Sequence, residues 1–295
     1  MSKTKIRKLS WGEIWQLTKT SFKEFFGGDS FTHGAALAYY AIFALVPIIY
    51  LAITTFGLIV GQDKIIDIVG YLMETNMGIE DTSSFTDLMY QWEIGKGGST
   101  LLRVMGIIAL IFTSTAMFNS LRNSLNSFFG IEPIHHFHIV LESLLTRLIS
   151  FGMLALFAVI IIVIYFAQSM LISISTDLLS DGSYAEKVLL YFLEHFTVLF
   201  VNFALFAFVF KYLHDGLVKW KLALGGALFT SILLYLGQLL INYYLSNYFF
   251  AADSGIAGTL LAILTWIFYT SQIIFLGATF TAVYARMVGK PIIPK

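Results

Sequence analysis

Residues 255–284 read GIAGTLLAILTWIFYTSQIIFLGATFTAVY, thirty consecutive positions without an Asp, Glu, Lys or Arg. At about 1.5 Å of rise per residue, a helix of that length outreaches a hydrocarbon core about 30 Å thick. Five further apolar stretches of spanning length lie upstream, at 35–60, 104–123, 148–173, 188–210 and 222–246. In the stretch at 188–210, Glu194 and His195 interrupt the apolar run. The composition agrees, with 58% apolar and 12% charged residues and a mean hydropathy of +0.80. A water-soluble domain needs about 25% charged residues to clothe its surface. Strands of a membrane barrel would be shorter and would alternate in polarity. The sequence therefore predicts an all-α polytopic membrane protein with six transmembrane helices.

Six crossings place both termini on one side. Fourteen Lys and Arg residues fall in the segments on that side, against four on the other, where Asp63, Asp67, Glu74, Glu80, Asp81, Asp87 and Glu93 gather. The positive-inside rule then makes both termini cytoplasmic. The organisation expected is a cytoplasmic interfacial helix over 1–30, a membrane domain over 31–285 with an extracytoplasmic loop at 61–100, and a cytoplasmic tail over 286–295. The basic amino terminus lacks a short apolar core followed by a small-residue cleavage site, so no signal peptide is expected to be removed. Ser10-Trp11-Gly12-Glu13 fits a capping box, with Leu9 placed to staple onto Ile14, and predicts a helix start. Trp11, Ile14, Trp15, Thr18, Phe22, Phe25 and Phe26 then recur at helical spacing until Gly27-Gly28. Within the long loop, helical patterns occupy 65–73 and 85–92.

Equal numbers of acidic and basic residues remove the global attraction that nucleic-acid binders use, so no nucleic-acid partner is expected. The absence of cysteine excludes disulfides, thiolate metal sites and a cysteine nucleophile. No phosphate-cradling loop, HExxH, GxSxG or dinucleotide fingerprint occurs, and neither enzymatic activity nor a cofactor is expected. His135, His136 and His138 crowd one connection, but no second ligand pair completes a metal-binding spacing.

Polar side chains inside hydrocarbon mark an interior face or a pathway. Asn119, Asn123 and Asn126 fall on one stripe beside Arg122. Tyr235, Gln238 and Asn242 share a face of the fifth span, and Thr265, Tyr269 and Gln272 a face of the sixth. They read either as the lining of a hydrated cavity or as hydrogen-bonded glue between helices. Pro47 interrupts the backbone ladder of the first span, with Tyr40 two turns before it. The candidate pathway is Tyr40, Pro47, Asn119, Asn123, Asn126, Gln238, Asn242, Tyr269 and Gln272. Glu194 is the candidate ion-coupling residue, or else an interfacial carboxylate that is hydrated or paired with His195. Gly225, Gly226, Ala227, Gly255, Gly258 and Gly277 allow close approach of helices.

The run His33-Gly34-Ala35-Ala36-Leu37-Ala38-Tyr39-Tyr40-Ala41-Ile42-Phe43-Ala44-Leu45-Val46-Pro47 resembles the opening span of the YihY/virulence factor BrkB family. Leu121-Arg122-Asn123-Ser124-Leu125-Asn126 is similar to the segment at the end of its second span. Gly255, Trp266, Gln272, Gly277-Ala278 and Val283-Tyr284-Ala285 match its last span. The resemblance implies a bacterial inner-membrane protein with six helices, usually suspected of transport. Two positions depart from it: Thr279 stands where the family commonly has Glu, and Leu213-His214 where it often has Leu-Pro. The loss of that acid weakens any inference that a carboxylate in the last span couples transport to an ion. Family members have also carried a ribonuclease label, which the lack of a metal-carboxylate centre and of a basic groove argues against here.

These readings lead to two expectations. One is a transporter or exporter of a small polar or amphipathic solute working by alternating access; the other is a non-transporting scaffold that organises envelope partners. Membrane lipids and an unidentified solute are the partners expected, and a homo-oligomer is compatible with the sequence.

Overall fold

The computed structural model describes residues 9–77, 82–91, 100–131, 184–248 and 255–294. In chain order these form α1 (Trp11–Gly27), α2 (Ser30–Val60), α3 (Gln62–Met77), α4 (Ser83–Gln91), α5 (Thr100–Phe129), α6 (Tyr184–Tyr212), β1 (Gly216–Leu217), α7 (Trp220–Tyr248), α8 (Gly255–Met287) and β2 (Ile293–Pro294). Helices occupy the stretches expected at 35–60, 104–123, 188–210, 222–246 and 255–284. The span expected at 148–173 and the three clustered histidines lie outside the described residues. Among the described residues three stretches are long and apolar enough to cross a membrane: His195–Tyr212, Trp220–Leu245 and Gly255–Met287.

Local signals explain where the helices begin and end. The capping box forms as its residues dictate: the Ser10 N–H donates to Glu13 Oε2 at 2.8 Å, and the Glu13 N–H to Ser10 Oγ at 3.3 Å. Gly130 and Gly289, both with φ +67°, close α5 and α8. In each case the next residue's N–H reaches back five positions, from Ile131 to the Asn126 carbonyl and from Lys290 to the Ala285 carbonyl. The patterns in the long loop become α3 and α4.

The exposed side of α7 is apolar, the reverse of a helix in water. Leu224, Leu228, Ile232, Leu236, Leu240 and Tyr243 form the exposed stripe of α7, whereas Ala223, Ala227, Thr230 and Ser231 are buried. From Leu224 to Tyr243 this stripe runs about 29 Å, the thickness of a hydrocarbon core. On α6 the exposed rings of Phe192, Phe196 and Phe200 stack nearly parallel at successive centroid spacings of 6.2 Å.

Two compact units divide the chain. The first comprises Met1–Thr20, Asn126–Ile232 and Gly277–Lys295; the second Ser21–Leu125 and Leu233–Leu276. In the first, α7 and α8 interlock. A Cβ on Gly226 would lie 1.8 Å from Thr281 Oγ1, and a Cβ on Gly277 would lie 1.8 Å from Thr230 Oγ1. Each hydroxyl is held in place, Thr230 donating to the Gly226 carbonyl and Thr281 to the Gly277 carbonyl, both at 2.8 Å. Each glycine of one helix therefore receives the threonine of the other. Also in this unit, Leu17 of α1 joins Phe280 and Val283 in a small core with Phe229 packed against it, and the ring of Phe229 stacks on that of Phe280 at 4.0 Å.

β1 and β2 pair antiparallel in the same unit, Gly216 opposite Pro294 and Leu217 opposite Ile293. The all-α expectation lacks this pair, because two-residue strands are too short to show an alternating pattern. In the second unit, Ile65, Ile66, Met73, Phe85 and Met89 of α3 and α4 share a core with Ile241, Leu245, Ala262 and Ile263 of α7 and α8.

Gly226→Ala should cost about 1–3 kcal/mol through overpacking, measured as thermal unfolding of the purified protein in detergent. Thr281→Ala, which removes the obstructing hydroxyl, should restore part of that loss in the double variant. A strictly additive pair would refute the interlock.

Candidate functional site

In the second unit the first turns of α2 press against the middle of α8. Glycine at position 34 leaves the space that the Gln272 amide fills, since a Cβ would lie 1.8 Å from Gln272 Nε2 and 2.8 Å from Ser271 Oγ unless that side chain moved. The Gln272 amide nitrogen donates long bonds to the Ser30 carbonyl (3.4 Å) and to Ser271 Oγ (3.5 Å). Its carbonyl oxygen is buried and has no hydrogen-bond partner among the described residues. One turn along α2, His33 Nδ1 lies 3.0 Å from Ser124 Oγ, whose own proton goes to the Ser120 carbonyl at 2.7 Å. Ser124 must therefore accept, and Nδ1 carries a proton. The ring of Phe275 stands edge-on to His33, with centroids 6.3 Å apart.

The other candidate residues take different places. Tyr269 of α8 lies over α7 where Gly237 leaves room; a Cβ there would meet its hydroxyl at 2.9 Å. Gln238, the next residue of α7, is half-buried, as is Asn119 of α5. Tyr40 and Asn123 are exposed, and Tyr40 packs edge-on against Tyr39 at 5.6 Å. α2 continues through Pro47. The side chains of Pro47, Glu194 and Asn242 lie outside the described residues. The structure thus brings Gln272 to the start of α2 and Tyr269 to α7, and leaves Tyr40 and Asn123 exposed on their helices.

Asn126, in the first unit, has a different task. It is buried, and its amide nitrogen donates to Asp215 Oδ2 at 2.6 Å while its oxygen accepts the Asp215 N–H at 2.9 Å. The end of α5 thereby holds the turn that follows α6. His214 completes that turn: fully buried, it donates from Nε2 to the Phe210 carbonyl and accepts the Gly216 N–H at Nδ1, both at 2.9 Å. The carbonyl can only accept and the N–H only donate, so the bonds fix a neutral ring protonated at Nε2. Lys211 donates from Nζ to the Val218 carbonyl and lies 5.8 Å from the centre of the Trp220 ring.

Sequence reasoning passed over Asn202 of α6, whose amide nitrogen is buried without a hydrogen-bond partner among the described residues. Its signal was available, as the one amide in the apolar run 196–210. It also passed over Asp215, because nothing in the spacing links that residue to Asn126. Thr279, at the position of the family's Glu, is buried.

Asn126→Leu should lower stability by about 2 kcal/mol, because Asp215 loses both a charge-assisted bond and a partner for its N–H. Asn126→Asp should cost more, since it sets two carboxylates together. Denaturant or thermal unfolding in detergent checks both, and wild-type stability in Asn126→Leu would remove the clamp.

Comparison with known proteins places these features. The sequence pattern of the family described as Virulence factor BrkB matches residues 21–292. A curated relative, the "UPF0761 membrane protein" of Glaesserella parasuis serovar 5 (strain SH0165), is 24% identical over 206 residues, which cover 68% of this chain and 68% of that protein. No solved structure matches. The match spans every helix from α2 to α8, including Gly34, Asn126, Gln272 and the paired glycines and threonines of α7 and α8. The chain belongs to the Virulence factor BrkB family of integral membrane proteins.

Proposed function

We propose that the protein is a multi-pass transporter of the bacterial cytoplasmic membrane, with six spans and both termini cytoplasmic, moving a small polar or amphipathic solute by alternating access. The observation that carries this reading is the buried carbonyl oxygen of Gln272, which has no hydrogen-bond partner among the described residues. Leaving such an acceptor unsatisfied costs about 1–3 kcal/mol. A substituted leucine would remove that cost, whereas an acceptor that meets a solute during the cycle has a reason to stay. Gly34 supports the reading, because it clears the space into which the Gln272 amide reaches. Gln238 and Tyr269 place further neutral polar groups on α7 and α8. Such groups suit a solute recognised by hydrogen bonds rather than by net charge. The residues act by binding and release, with no chemical step.

The test uses the full chain in sealed proteoliposomes screened with labelled polar and amphipathic solutes. For any solute whose flux depends on the protein, Gln272→Leu should lower flux by about tenfold or more, equivalent to about 1.4 kcal/mol, while unfolding shows an intact or stabilised fold. Gln238→Leu should lower it less. Wild-type flux in Gln272→Leu would remove this site from the pathway.

A further inference from the structure

Helix α1 is divided into sectors that the transport reading does not use. At about 100° per residue, the buried residues Leu17, Ser21 and Phe25 fall within an arc of about 80° that faces the rest of the protein. Trp11, Trp15, Phe22 and Phe26 occupy the next arc, about 60° wide, and are exposed, Trp11 by 88%, Trp15 by 73% and Phe26 by 62%. Lys19 and Lys23, also exposed, follow on the side opposite the buried arc. Gln16, Thr20 and Glu24 lie in the remaining sector, across the helix from the aromatic rings.

This order has a physical meaning. Aromatic and polar sectors oppose each other, and buried and lysine sectors oppose each other. A helix lying in the plane of a membrane beside a bundle needs that arrangement: rings toward the acyl chains, polar groups toward water, and lysines outward at the level of the headgroups. A helix standing upright in the bilayer would instead drive Lys19 and Lys23 into hydrocarbon, at a cost of about 2.5 kcal/mol or more each on the insertion scale. Leu17 packs on Phe280 and Val283, in the last two turns of α8, where that helix approaches Arg286 and Lys290. The anchoring contact thus sits at the end of a membrane-length helix that finishes in basic residues.

We infer that α1 is a docking surface for an anionic phospholipid leaflet: Trp11, Trp15, Phe22 and Phe26 enter the boundary between headgroups and acyl chains, and Lys19 and Lys23 hold lipid phosphates beside the protein. Cationic side chains near such a surface gain from its negative potential, and the aromatic rings supply the apolar part of the attachment.

The chain has no cysteine, so a single spin label can be placed without background. The full-length protein carrying Phe26→Cys or Gln16→Cys is labelled and reconstituted in nanodiscs of phosphatidylcholine, with or without phosphatidylglycerol. Accessibility to oxygen, which partitions into lipid, is compared with accessibility to an aqueous nickel chelate. In discs containing phosphatidylglycerol, the label at Phe26→Cys should be open to oxygen and shielded from nickel, and the label at Gln16→Cys the reverse. Adding Lys19→Gln and Lys23→Gln should reduce the docked population about fivefold per lysine in those discs and leave it unchanged in phosphatidylcholine alone; Lys19→Arg with Lys23→Arg should preserve it. Nickel access at Phe26→Cys equal to that at Gln16→Cys would overturn the docking and point instead to a protein partner. Equal shielding in both lipids, unaffected by the lysine changes, would overturn the selection of anionic lipid.

Discussion

Two threonines seated against two glycines hold α7 to α8, and much else in the chain is organised around that close approach. In hydrocarbon there is no water to expel, so helices associate through contact between small residues and through hydrogen bonds that cannot be made elsewhere. Gly226 and Gly277 let the backbones meet, and Thr230 and Thr281 fill the space while returning their own hydroxyls to the preceding turn. Neither hydroxyl is left unpaired. Leu224, Leu228, Leu236 and Leu240 lie on the exposed side of α7, away from its buried Gly226 and Thr230. The position that the family commonly gives to Glu is held here by Thr279, which is buried and, two residues from Thr281, turns toward the other face of α8.

Much of the fold is legible in the sequence because it follows from local rules. The capping box at Ser10 and Glu13 needs only four residues and forms as read. The periodic apolar residues of the long loop give α3 and α4, and the uncharged runs give long helices. Close approach at Gly226 and Gly277 is also legible; the threonine that each receives is not, because that depends on the register between two helices. The β1–β2 pair joins residues far apart in the chain and is too short to show a period.

The polar residues show where sequence reasoning stops. Asn119, Asn123 and Asn126 fall on one stripe, yet Asn126 is fully engaged by Asp215, Asn119 is half-buried and Asn123 is exposed. Helical spacing identifies neighbours on one helix, whereas the partner that decides an amide's role comes from another segment. Gln272 has the same chemistry as Asn126 and the opposite fate, because a glycine rather than a carboxylate faces it. The segment with Leu213-His214 departs from the family's Leu-Pro, and the imidazole supplies there both a donor and an acceptor that proline lacks.

The short strand near the carboxyl end has a practical corollary. Ile293 and Pro294 are stitched to Leu217 and Gly216, so a load applied at this strand passes directly to the segment beside the turn that Asn126 and His214 hold.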